Sequence, residues 1–160
     1  MAHGARGACQ AMTGRTTQGG GCQCGRIRYT ATYHPDGAYL CHCRMCQRAT
    51  GGVSIAFMSL PKTNLQWETQ PEWYASSTFA KRPFCQECGT PLGFAFDEGD
   101  DMDIAIGTLD DPYGLEPQWH FGVERMHEAW IDTSHLPHKR ADESEQLVNR
   151  WKDSNGCMPE

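Results

Sequence analysis

Cys85-Gln86-Glu87-Cys88-Gly89 is the stretch from which the rest of the chain is best read. In a C-x-x-C-G turn both thiolates can face one metal ion while backbone amides point at the sulfurs, and the glycine permits the tight path. One such turn offers two ligands, and a structural zinc takes four in a tetrahedron. The other two must come from elsewhere in the chain. Gly19-Gly20-Gly21-Cys22-Gln23-Cys24-Gly25 supplies a second short-spaced pair, again ending in Cys-Gly and leading into a strand-like segment. Joining the pairs gives Cys22, Cys24, Cys85 and Cys88 as a closed tetrathiolate, tying the N-terminal part of the fold to residue 88. The plain alternative is ordinary buried cysteine.

A third group, Cys41-His42-Cys43-Arg44-Met45-Cys46, leaves three thiols over. Three protein ligands with an open fourth position is the pattern of a catalytic zinc. The group enters a short helix predicted over 43–50, with Gly51 suited to the left-handed position after it. Amides at that helix start, and Arg44 or Arg48, are expected to keep the thiolates deprotonated. Alternatively, one of the three completes a different tetrad and the others are spectators. His42 points away from Cys41 and Cys43 in an extended segment, so it reads as a pocket or loop residue rather than a fourth ligand. An iron–sulfur cluster also needs four cysteines, but these spacings match neither ferredoxin pattern.

Composition narrows the setting. The chain has 160 residues, the size of one domain, with 39% apolar and 21% charged residues and a net charge of −6. Loading the seven thiolates with two zinc ions makes the charge more negative still. That argues against nucleic acid as a partner, and no apolar run suggests a membrane span. Nine cysteines is an odd count, so they cannot all pair internally. No secretory apolar run occurs in residues 1–21. The expected compartment is cytoplasmic, where clustered thiols bind metal more often than they form disulfides. Cys9 and Cys157 stand apart from the groups.

Short alternating segments dominate the rest. Strands are predicted at Arg26–Thr32, Val53–Met58, Leu65–Glu68, Trp73–Ala75, Ser77–Lys81, Leu92–Phe96, Met102–Leu109 and Trp119–Val123. Helix is scarce. Asp142–Trp151 is the second helix, with Asp142 and Glu145 as a capping box and Leu147, Val148 and Trp151 as a narrow apolar stripe, either docking or fraying. The expected organisation is a flexible lead over 1–18, a zinc-binding catalytic domain over 19–137, and a C-terminal helix and tail over 138–160.

Taken together, Gly20 to Gly25 with Ile27 and Tyr29, Cys41 through Cys46 to Thr50-Gly51, and Phe84-Cys85 through Cys88-Gly89-Thr90 with Leu92 resemble the glutathione-dependent formaldehyde-activating enzyme family, which also includes centromere protein V. The likeness runs from about Gly19 to Pro137. Trp119-His120-Phe121, Val123-Glu124, Trp130 and Leu136-Pro137 resemble the family's C-terminal segment, and Arg125-Met126-His127-Glu128 departs from it. The resemblance implies a mainly β fold, a small zinc-clamped β-tent of two antiparallel sheets with one or two short helices. It implies two zinc ions per chain: a structural one on Cys22, Cys24, Cys85 and Cys88, and a catalytic one on Cys41, Cys43 and Cys46. It also implies a carbon–sulfur lyase resembling S-(hydroxymethyl)glutathione synthase, joining a small-molecule thiol, glutathione or similar, to an aldehyde such as formaldehyde.

A tris-thiolate zinc is a poor Lewis acid but can deprotonate a bound thiol at neutral pH. The alkoxide formed when sulfur attacks an aldehyde needs a proton, and His42, His120 and Glu124 are the candidates for that catalytic role. Phe57, Phe94, Phe96 and Trp119 lie on strands near the cysteines and either pack the core or line the substrate pocket. A non-catalytic zinc-binding protein-interaction module is the alternative, and an exchangeable ligand at the second zinc separates the two.

Overall fold

The computed structural model describes residues 14–155, so Cys9 and Cys157 lie outside the described residues. The chain divides into two compact units, which meet in sequence at His127 and Glu128 rather than after Pro137. Both cysteine clusters belong to the first unit.

The first unit is two sheets. The smaller has the order β1-β2-β5, from Thr16–Gly21, Arg28–Tyr33 and Leu65–Trp67. Strand β1 begins inside the stretch expected to be a flexible lead, because Thr16 to Gly21 zip antiparallel onto Tyr33 to Arg28. The larger sheet adds β3 (Ala38–Cys41), β4 (Ile55–Pro61), β6 (Glu72–Ala75), β7 (Ala80–Phe84), β8 (Gly93–Phe96), β9 (Asp101–Ala105) and β10 (Trp119–Phe121). Its order is β10-β3-β4-β9-β8-β7-β6. The ladders are antiparallel except at one edge, where β10 runs parallel to β3. A mainly β fold of two sheets with little helix is what the sequence led us to expect.

Alternation builds the core. Tyr29, Ala31 and Tyr33 of β2 turn inward, as the period-two pattern predicts. They meet Met58 and Leu60 of β4, Ala95 of β8, and Met102 and Ile104 of β9, so the core lies between the sheets. The outward Arg28 instead grips Asp110 through two hydrogen bonds of 2.9 and 2.5 Å.

Several boundaries differ from the sequence reading. The strand expected over Met102–Leu109 stops at Ala105, where Thr108 Oγ1 donates to the Ala105 carbonyl at 2.7 Å and a single 3-10 turn follows. The segment expected over Ser77–Lys81 is a turn into β7, with Ser76 and Ser77 amides donating to the Ala80 carbonyl. Strand β3 carries little alternation in its four residues and has no counterpart in the prediction. Helix α1 is Arg44–Thr50, with Cys43 as its N-cap and Gly51 closing it at φ 72°. In the second unit, helix α2 spans Glu145–Asn155. The capping box expected at Asp142 and Glu145 is displaced, because Ala141–Glu143 form a 3-10 turn in which Glu143 accepts from the Arg140 amide at 3.2 Å. Among the described residues no helix is long and apolar enough to cross a membrane.

The glycine run before the first cysteine pair has a packing reason. A Cβ on Gly20 would sit 2.4 Å from the Tyr29 ring and 2.6 Å from the Thr108 carbonyl oxygen. Tyr29 is fully buried and its hydroxyl bonds Thr108 Oγ1 at 2.7 Å, so neither neighbour can yield cheaply. We expect Gly20→Ala to cost ~1–3 kcal/mol by overpacking. Gly14→Ala, which meets nothing within 4 Å, should be close to neutral. Thermal unfolding of the two variants checks this, and equal melting temperatures would contradict the close-packing argument.

Candidate metal centres and active-site cavity

Seven cysteine sulfurs gather in two groups able to hold a metal ion: Cys22, Cys24, Cys85 and Cys88, and Cys41, Cys43 and Cys46. Within each group the ligand atoms lie within 4.8 Å of one another. All seven are free thiols. The spacing fits tetrahedral thiolate coordination, whose sulfur–sulfur edge at a metal–sulfur bond of about 2.3 Å is about 3.8 Å. Cys22 and Cys24 are 3.5 Å apart, and Cys24 and Cys85 3.8 Å. In the second group Cys41 lies 3.5 Å from Cys43 and 3.4 Å from Cys46.

The first group is made by two turns. Cys22 and Cys24 sit between β1 and β2, where the Gly25 amide closes onto the Cys22 carbonyl at 3.0 Å. Cys85 and Cys88 sit between β7 and β8, where the Gly89 amide closes onto the Cys85 carbonyl at 2.8 Å. The Ile27 amide donates to Cys22 Sγ at 3.2 Å. The Thr90 hydroxyl, first, and the Thr90 amide hold the Cys88 thiol down to about 5. Cys22 and Cys85 also belong to the main core cluster and Cys88 packs against it, so this group is joined to the inter-sheet packing.

The second group hangs on the end of β3 and the start of α1. Cys41 ends the strand, Cys43 caps the helix, and the Cys46 amide donates to Cys43 Sγ at 3.4 Å. Strand β10 braces the loop from behind: the His42 amide donates to the Phe121 carbonyl at 2.8 Å. Gly122 follows at φ 70°, and a Cβ there would lie 2.7 Å from the Cys43 nitrogen, so only glycine allows that approach. Buried Gln47 uses its side-chain NH₂ on the His42 carbonyl at 2.8 Å and the Arg125 carbonyl at 2.9 Å, tying the loop to the turn after β10.

The cation at this group is Arg82, not the expected Arg44 or Arg48. Arg82 reaches across from β7 and donates to Cys46 Sγ at 3.3 Å, with its guanidinium 4.9 Å above the Phe94 ring. The Cys41 thiol, first, and Arg82 push the Cys46 thiol down, while donation to Cys46 and burial push the Cys41 thiol up. Arg44 instead donates to Gln47 Oε1 at 3.1 Å, and Arg48 faces solvent on α1. Arg82 lies in Lys81-Arg82-Pro83, which reads as a solvated basic segment. Its partner is 36 residues away, so the sequence holds no local signal for it.

A cavity of about 420 Å³ opens on Cys41, Cys43 and Cys46. Phe57, Phe94, Phe96 and Trp119 all line it. His42, His120 and Glu124 do not. His42 Nε2 and His120 Nδ1 are hydrogen-bonded to each other at 2.9 Å, and His42 is buried between the two cysteines that do face the cavity. Burial, then His120 and His127, push His42 below the usual histidine range. Glu124 is exposed in the 3-10 turn after β10.

The carboxylate in the lining is Asp103 of β9, a residue that sequence reasoning passed over. It sits opposite Ser59 in the β4–β9 ladder and faces the Tyr39 and Ser59 hydroxyls. Burial pushes its carboxyl up to about 6, with the neighbouring Tyr39 and Ser59 hydroxyls acting the other way. The available signal was an acidic residue flanked by apolar ones, Met102-Asp103-Ile104-Ala105.

Two measurements follow from this geometry. Cys88→Ser should unfold the metal-loaded chain or sharply lower its melting temperature, because that group is part of the core and metal binding is folding energy. Cys46→Ser, in a small separate cluster, should keep the fold and lose one metal ion; equal damage from both would remove the division between the sites. The second concerns pH. The native Asp103 carboxyl binds its proton more tightly than the ordinary 3.8 of an unfolded chain. Between these values the native state holds more protons, so stability falls as pH rises toward about 6, and the full penalty persists above it. Asp103→Asn removes the penalty. From about pH 4.5 to about pH 7 the variant should gain stability relative to the parent, and a pH-independent difference in urea midpoint would contradict it.

Comparison with known proteins adds the family. Residues 17–125 match the family model described as glutathione-dependent formaldehyde-activating enzyme. The chain is 35% identical over 80 residues to an uncharacterized lyase of Schizosaccharomyces pombe; the match covers 50% of this chain and spans 58% of that relative's length. A crystal structure of a Rhodobacter sphaeroides protein superposes with a TM-score of 0.54 at 20% identity, over 64% of this chain and 99% of that one, which speaks for the fold alone. With two thirds of its length matched, the chain belongs to the glutathione-dependent formaldehyde-activating enzyme family.

Proposed function

We propose that this protein is a zinc-dependent lyase that joins a thiol, glutathione or similar, to an aldehyde such as formaldehyde, or cleaves such an adduct. The observation that carries this reading is the asymmetry of the two thiol groups. Four sulfurs form a complete set of ligands at the edge of the core, while three face a cavity large enough for a substrate. The family match and the name of the yeast relative support lyase chemistry. Two closed tetrathiolates would instead suit a protein-interaction module, and the lack of a fourth sulfur at the second group among the described residues speaks against that alternative.

A zinc ion held by Cys41, Cys43 and Cys46 would supply an open position at which a thiol loses its proton near neutral pH. The rest is the work of the chain. Arg82 holds Cys46 as a thiolate. The helix-start amide at Cys46 and the β10 brace fix the three sulfurs before substrate arrives. As sulfur bonds to the aldehyde carbon, the carbonyl π pair moves to oxygen, and that oxygen takes up the proton the thiol gave. Asp103 suits the holding of this proton, since it shares the cavity with the sulfurs and its charged form is disfavoured there. The hydroxyls of Tyr39 and Ser59 steady its carboxyl. His42 and His120 are occupied with each other and suit the bracing of the cysteine loop, and Glu124 has an exposed place from which to act only at the cavity's outside.

Protein purified without chelator should contain about two zinc ions per chain, one labile. In cobalt-substituted protein, added glutathione should change the d–d and thiolate charge-transfer bands, and Cys46→Ser should abolish the change. Formation of a carbon–sulfur bond with formaldehyde should exceed the uncatalysed rate at equal thiolate concentration. If no thiol alters the spectrum and no rate rises above background, the lyase reading fails and the interaction module replaces it.

A further inference from the structure

The cavity is far larger than formaldehyde requires. It encloses about 420 Å³, whereas a water-sized molecule takes ~30 Å³. Its walls are aromatic and already ordered against one another. Tyr39 and Trp119 stack with centroids 5.1 Å apart, Phe94 meets Phe96 edge-on at 4.9 Å, and Phe79 lies over Phe96 at 6.2 Å. Three of these rings are left partly in water: Phe79 is 60% exposed, Phe96 50% and Trp119 43%. Contiguous apolar surface of this kind at a cavity mouth marks a binding site.

Charge separates this wall from its neighbour. Besides the thiols, the cavity's ionisable lining is Tyr39, Asp103, which faces two hydroxyls, and Arg82, which is engaged with Cys46. A peptide thiol with two carboxylates finds no free cation there. A second groove shares Met45 and Arg82 with the cavity and adds exposed Arg48 and Tyr74 and half-buried Ser76. The exposed Arg48 groove and the apolar cavity thus flank the shared Met45 and Arg82, which gives each half of a thiol–aldehyde adduct a wall of its own chemistry.

We propose that the aldehyde used at this site carries an apolar, ring-sized group seated between Phe79, Phe94, Phe96 and Trp119, while the carboxylates of the thiol lie in the Arg48 groove. The chemistry rests on the lyase reading above; the apolar seat is open to test without it. The step is redox-neutral: the sulfur electron pair forms the C–S bond, the C=O π pair moves to oxygen, and the thiol proton ends on that oxygen.

The test starts with 2-phenylethanol, which cannot react. It should bind the zinc-loaded full chain in calorimetry with a negative heat-capacity change, the mark of apolar burial, and ethanol should not. Phe96→Ala and Phe79→Ala, both at exposed positions that spare the fold, should each weaken binding about fivefold. Affinity no better than ethanol's, or indifferent to both substitutions, overturns the seat whatever thiols do. Retained, ring-dependent binding of 2-phenylethanol with no spectral response to any thiol and no rate above background removes the lyase reading and leaves the seat standing. With glutathione as thiol, the rate enhancement over background should be about tenfold larger for phenylacetaldehyde than for acetaldehyde, a difference of about one order in transition-state binding. Phe96→Ala should lower kcat/KM for phenylacetaldehyde about fivefold more than for acetaldehyde. Equal enhancement, or equal loss for both aldehydes, overturns the proposal.

Discussion

Four thiols held within a few ångströms of one another are the constraint on which the rest of this molecule depends. Packing gives no reason for such an arrangement. Sulfur against sulfur gains little dispersion energy over sulfur against carbon, and ionised thiols repel. A divalent cation turns that repulsion into the strongest local attraction in the fold. The two turns that carry the thiols belong to different sheets, one between β1 and β2 and one between β7 and β8. Clamping them fixes the separation of the sheets, and the inward residues Tyr29, Tyr33, Met58 and Ile104 fill the space so defined. A domain this small buries a limited core, so a metal ion held by these thiols would have a large share of its stability to supply.

The second thiol group solves a different problem with the same residue. It is not fused to the main core but to a small cluster with Phe57, Tyr39 and Phe94. Its sulfurs are fixed by backbone, through the cap of a two-turn helix and the parallel edge strand β10. Local rigidity without core commitment is what an exchangeable ligand position requires. The parallel pairing of β10 matters here: it brings Phe121 and Gly122 against the Cys41–Cys43 loop and places the His42–His120 pair behind it.

Much of this was legible in the sequence because short-range spacing encodes it. C-x-x-C-G and C-x-C-G specify turns on their own, and the alternation of Tyr29, Ala31 and Tyr33 specifies an inward face without knowledge of what lies opposite. The four aromatic candidates for the pocket wall could be named because strand residues near cysteines have few places to go. Arg82, Asp103 and Gln47 could not. Each acts through a partner distant in the chain, and each looks locally like surface. Strand β3 was missed because four residues, Ala38-Tyr39-Leu40-Cys41, are too few for a period-two pattern to show. His42 attracted notice as a titratable group between two cysteines, yet proximity in sequence to a ligand says little about which face of the strand a ring occupies.

The exposed rings at the cavity mouth bear on why the two metal groups differ. A closed tetrathiolate gains by excluding everything else, and the chain seats Cys22 and Cys85 of it in the core. An open one must admit a partner, so its surroundings cannot be finished by the protein alone. Leaving Phe79, Phe96 and Trp119 in water withholds from folding the area they would bury, at about 25 cal/mol per Å². That cost falls on the free protein and is recovered only when something apolar fills the space. The aromatic wall, the guanidinium spent on Cys46 and the three-sulfur floor are therefore one device: stability is placed in the closed site, and the surface left unsatisfied is concentrated at the open one.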